Sequence, residues 1–167
     1  MAVILGIDPG LAATGWGLID ARANTLRYIG HGVIRTDAAA PTGERLLKIH
    51  NELESICEGA RPRFAAIESI YFAKNITSAI PVAQARGVAM LLLAQAGILA
   101  AEYPPQAIKQ ALVGHGRAAK EQVQELVRLL LALPEIPKPD HAADALAAAI
   151  TYHHTRLGAD LIEGGGT

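Results

Sequence analysis

Ala2-Val3-Ile4-Leu5-Gly6-Ile7-Asp8-Pro9-Gly10 is the stretch on which the fold turns. Residues 2–7 are apolar or glycine, the run is short, and Pro9-Gly10 stops it. Such a run reads as a buried strand. A strand apolar on both faces belongs inside a sheet, with helices covering both sides. Working outward, Thr14 to Ile19 and Leu26 to Arg35 read as two more strands with short connections, an antiparallel meander. Pro41 to Glu58 reads as a helix, since Leu46, Ile49, Leu53 and Ile56 form one apolar stripe. Phe64 to Glu68 is a strand, Asn75 to Ala96 a helix in which Pro81 marks a start or a kink, and Ile98 to Glu102 a fifth strand. Helices follow at Pro105 to Leu112, Ala118 to Leu131 and Asp140 to Arg156. The expected fold is α/β: a five-stranded mixed sheet, a three-stranded antiparallel meander plus two parallel strands, with helices on both faces. One domain is expected over 1–157, and a disordered tail over 158–167.

Composition agrees. The chain has 167 residues, 51% of them apolar and 19% charged, which fits a folded domain rather than a disordered chain. The single cysteine, Cys57, forms no internal disulfide, as suits a reducing compartment. The apolar runs are too short for a membrane span and the opening does not read as a signal peptide, so the expected location is the cytoplasm. A formal net charge of −1 does not advertise a nucleic-acid binder, although a site built from carboxylates lowers the total.

Asp8 and Glu68 each end an apolar strand, Ile4-Leu5-Gly6-Ile7 before one and Ala65-Ala66-Ile67 before the other. An isolated acid there is ordinarily a turn former, and Asp-Pro-Gly is an ordinary turn. Two acids at the same end of neighbouring strands repel unless something positive sits between them. The third element is Asp140-His141-Ala142-Ala143-Asp144. Asp140 follows Pro139 and is expected to cap the helix. His141 and Asp144 project from one face of its first turn. Taken singly, they are a surface imidazole and an acid complementing the helix dipole. Together with Asp8 and Glu68 they offer hard oxygen ligands plus one nitrogen. That set suits magnesium, with manganese able to substitute, better than zinc, which lacks a Cys pair here. Two such ions stabilise both attacking and leaving oxygens in phosphodiester hydrolysis.

The ordered set of motifs resembles the RuvC-type Holliday-junction resolvases. The residues are Ile4 to Gly10, Thr14-Gly15-Trp16-Gly17, Ala66-Ile67-Glu68, Ala73-Lys74-Asn75, Gln84 to Ala89, Lys109-Gln110, Gly114-His115-Gly116, Ala119-Lys120 and Ala142 to Ala147. The resemblance spans nearly the whole chain and leaves out only the tail. It implies an RNase H-like fold, two magnesium ions per site and a homodimer. It implies paired nicking of four-way DNA junctions in recombination and repair, beside the branch-migration proteins RuvA and RuvB. By position it makes Asp8, Glu68, His141 and Asp144 the catalytic metal ligands, with position 141 aspartate in some members and histidine in others. It assigns Lys109 and Lys120 to phosphate contacts, Lys74 and Arg86 to an extended positive path, and Tyr71 to stacking on a nucleobase. Phe72 reads better as a plug for the core. The dimer contact is expected on the helix from Asn75 to Ala96, where Ala83, Gly87 and Met90 give a small-residue face.

Three other readings compete. Strand–Asp-x-Gly–strand also resembles the phosphate-binding hairpin of actin-like ATPases, which need two such domains. A junction-recognising module that does not cut leaves the acids unexplained. A related RNase H-like nuclease acting on another nucleic-acid structure is the reading least separable by sequence.

Overall fold

The computed structural model describes residues 2–22, 25–69 and 76–164, with side chains in the last segment described for 79–156. The apolar run at the amino terminus forms β1 (Ala2–Asp8), followed by β2 (Ala13–Arg22) and β3 (Thr25–Arg35). Then come α1 (Thr42–Ala60), β4 (Phe64–Glu68), α2 (Ile76–Gln95), β5 (Leu99–Tyr103), α3 (Pro105–Val113), α4 (Lys120–Leu130) and α5 (Asp140–Gly164). The sheet order is β3-β2-β1-β4-β5, so β1 is central as its two apolar faces require. β1 pairs antiparallel with β2 and parallel with β4, and β4 pairs parallel with β5.

Side chains alternate along each strand, so the sheet separates two cores. Ile4, Ile19 and Ala66 face α3, α4 and α5, where Val127, Leu146 and Ile150 close the packing. Leu5, Ile7 and Ile67 face α1 and α2, where Ile49, Leu53 and Leu93 do the same. Each fully buried Leu or Ile contributes about 1.5–3 kcal/mol.

The two faces are built differently. α5 lies against β1 and β2 with Ala142, Ala143, Ala145, Ala147, Ala148 and Ala149 all buried. A Cβ on Gly6 would collide with the carbonyl oxygen of Ala145, and one on Gly15 with that of His141. Alanines over glycines let helix backbone rest on strand backbone, so the start of α5 is held at the carboxyl end of β1. α2 is looser. Ala85, Ala89, Leu92 and Leu93 are buried, but Ile80 (53% exposed), Met90 and Leu91 (56%) face solvent, and nothing lies near Gly87.

Several boundaries depart from the pattern in the sequence. β2 runs on to Arg22 and pairs with Thr25, because strand pairing continues past the apolar residues. α2 begins before Pro81, which lies inside the helix and is not its start. α5 continues to Gly164, past Arg156 and past the boundary expected at 157, while 165–167 lie outside the described residues.

Candidate active site

Register alone brings the first two acids together. Ile7 of β1 is level with Ile67 of β4, so Asp8 and Glu68 end adjacent parallel strands, about 4.8 Å apart in the pairing direction. The turn after Asp8 is fixed by Thr14, which is fully buried: its hydroxyl donates to the Gly10 carbonyl at 2.7 Å. β4 is held at its end by the Ser69 amide, which donates to the Tyr103 carbonyl at 2.8 Å.

α5 supplies the rest. His141 Nδ1 lies 2.6 Å from Asp8 Oδ2, linking residues 133 apart in the chain. One ligand atom from each of Asp8, His141 and Asp144 falls within 4.8 Å of the others. Glu68 joins them electrostatically. Burial, then the neighbouring charges of Asp8 and Asp144, push its carboxyl up to about 8, against the pull of Lys120 and His141. Burial likewise raises Asp144, opposed by its hydrogen bond from Lys120. His141 is raised above its ordinary value, chiefly by the hydrogen bond to Asp8 and against the effect of burial. The carboxylates are thus crowded at this pole.

Lys120, the first residue of α4, brings a cation to them. Its ammonium reaches Asp144 Oδ2 at 3.1 Å and Asp140 Oδ2 at 3.2 Å. Burial alone would lower its pKa, but the bonds to Asp144 and Asp140 prevail and raise it. Gln124, one turn along α4, donates to Asp140 Oδ1 at 3.1 Å. Asp140 therefore does not cap α5 as its place after Pro139 suggests. Its oxygens turn to α4, and the Pro139 carbonyl receives the amides of Ala142 and Ala143. The Lys120/Gln124 and Asp140/Asp144 pairs are each one helical turn apart, a spacing visible in the sequence but meaningless until the two helices are known to face each other.

A cavity of about 180 Å³ opens beside the acids, lined by Glu68, Asp144, Lys109 and Lys120 together with apolar residues of α3 and α4. The structure thus gathers Asp8, Glu68, His141, Asp144, Lys109 and Lys120 at one pole. Arg86 is committed elsewhere: its Nε donates to Glu102 Oε2 at 2.7 Å, tying α2 to β5. Tyr71, Phe72 and Lys74 lie outside the described residues.

Comparison with known proteins shows the family. The family model described as Crossover junction endodeoxyribonuclease RuvC matches residues 4–153. The protein of that name from Treponema pallidum is 51% identical over 154 residues, covering 92% of this chain and 79% of the relative. Its counterpart from Chloroflexus aurantiacus is 53% identical over 151 residues, covering 90% and 92%. The solved structure of Thermus thermophilus RuvC in complex with Holliday junction substrate superposes with a TM-score of 0.89 at 37% identity, covering 95% of this chain and 97% of that one. Fowlpox virus resolvase, at 13% identity and a TM-score of 0.60, shares the fold. With the match running from β1 into α5 and so across every element of the site, this chain belongs to the RuvC family of crossover junction endodeoxyribonucleases.

Proposed function

We propose that this protein is a divalent-metal-dependent endonuclease that resolves four-way DNA junctions by paired symmetric nicks, in homologous recombination and DNA repair. The observation that carries the reading is the crowding of Asp8, Glu68 and Asp144 around His141, since carboxylates held this close call for a cation. The donor set fits an oxygen-seeking ion, and we assign magnesium, two ions per site, with manganese as a substitute. Bound there, the ions neutralise charge on the scissile phosphate and make an attacking water more acidic.

The chain's own residues do the rest. Asp8, Glu68, Asp144 and His141 would hold the ions, His141 as the neutral imidazole, exchanging its contact with Asp8 for the metal. Lys109 and Lys120 face the cavity where the phosphate chain passes, and they set its position without reading bases. Tyr71 stacks on an unpaired base near the cut and Lys74 extends the basic path, whereas Arg86 is held by Glu102. A junction has two equivalent strands to cut, so a twofold homodimer matches it. The solvent-facing apolar residues of α2, Ile80, Met90 and Leu91, favour that helix as the contact. RuvA and RuvB are the assigned partners, and the cytoplasm the assigned location.

The test is cleavage of a mobile four-way junction against linear duplex and an RNA–DNA hybrid, with magnesium. Symmetric nicks confined to the junction support the reading. Equal cutting of the hybrid would assign the site to another substrate.

A further inference from the structure

We infer that Asp140 is a positioning residue for Lys120, holding the lysine's ammonium beside the site when a divalent cation takes Asp144. The inference rests on the reading of Asp144 as a metal ligand. Lys120 has two acceptors at nearly equal distance, 3.1 Å on Asp144 and 3.2 Å on Asp140. The two acids differ in surroundings: the Asp144 side chain is 25% exposed and that of Asp140 64%. Asp140 is also fixed by a group that never touches Asp144. Gln124 donates to its Oδ1, leaving Oδ2 for the lysine.

A divalent ion on Asp144 repels the ammonium. Had Lys120 no other partner nearby, its charge would leave the cavity for solvent, where it does nothing for a phosphate. Asp140, oriented by Gln124, keeps the charge within a helical turn of Asp144. The ammonium then shifts between carboxylates and stays on the wall it shares with Glu68 and Lys109. Asp140 thereby also weakens the lysine's competition with the metal, because the ion pair lost at Asp144 is partly kept at Asp140.

The experiment is manganese binding to the full chain without DNA, read by electron paramagnetic resonance. Asp140→Asn keeps an acceptor for Gln124 and removes the charge. It should weaken manganese binding about three- to tenfold, within the usual range of coupling between contacting groups. Lys120→Met should tighten binding, and in that background Asp140→Asn should have little further effect. Asp140→Glu should restore most of the wild-type affinity. Melting curves in chelator check that each variant is folded.

An equal loss from Asp140→Asn in both backgrounds means that Asp140 acts through its own charge and overturns the inference. No loss in the wild-type background overturns it too. Asp144→Asn separates the two layers. It should abolish tight manganese binding, and if affinity is unchanged the metal assignment itself is wrong.

Discussion

α5 and α2 are both strongly apolar helices packed on opposite faces of the same sheet, yet they do different work. α5 is sunk into the sheet by alanines over glycines and carries two of the four candidate metal ligands. α2 buries one side and leaves Ile80, Met90 and Leu91 in solvent. Apolar composition alone does not tell the two apart. Where the backbone may approach does, because close approach fixes a helix end to within a fraction of a side chain while looser packing leaves a surface to be covered.

The comparison can be broken most severely at the point α5 serves. Asp8→Asn should lower cleavage by more than about 10²-fold, since metal stabilisation of the transition state is worth several kcal/mol. Junction affinity in a gel-shift assay should be kept, because removing negative charge does not weaken phosphate contacts. Normal cutting by this variant would show the site to be misplaced.

Next comes the seat of the helix. Gly6→Ala places a methyl group where the Ala145 carbonyl lies, and rigid backbone cannot step aside. The expected loss is about 3 kcal/mol, at the upper end for overpacking, and it should show in urea unfolding together with lost cleavage. Retained stability would mean that α5 can lift from the sheet.

A smaller effect sharpens the electrostatic half. Glu68 has its folded pKa raised from 4.5 to about 8. A raised carboxyl favours folding fully below its unfolded value, and that contribution is lost as pH climbs through about 8. In chelator, Glu68→Gln should therefore be the more stable protein at pH 9, by roughly 2–4 kcal/mol, with the gap closing towards pH 5. Magnesium should narrow the gap at pH 9 by stabilising the wild type. A gap independent of pH would mean that Glu68 is not crowded by its neighbours.

The least effect on the fold is expected on α2. Leu91 is exposed, so Leu91→Asp should change subunit stability by less than about 0.5 kcal/mol. Light scattering is expected to report dimers for the wild type and monomers for this variant. Unchanged dimers would move the contact to another surface.

Much of this was legible from the chain. β1 and β4 show themselves as short apolar runs, each closed by its acid, and the position of β1 at the centre follows from its two apolar faces. His141 and Asp144 share a helical face by spacing alone. What stayed hidden depends on partners distant in sequence. Gly6 and Gly15 look like weak points in strands until α5 is laid across them. Asp140 looks like a cap until α4 offers it Lys120 and Gln124, and Arg86 looks free until β5 presents Glu102. Pro81 reads as a start or a kink because nothing local says that the helix has begun before it.

The bond between His141 and Asp8 joins one end of the chain's history to the other. During synthesis β1 leaves the ribosome early and α5 late, so a growing chain that already has most of its sheet still lacks half of its site residues. Contacts of such long range also form late in folding, after the loops that separate them have been closed. On the proposed assignment, a partly made or clipped molecule without α5 lacks His141 and Asp144, and cutting should arrive only with the finished fold.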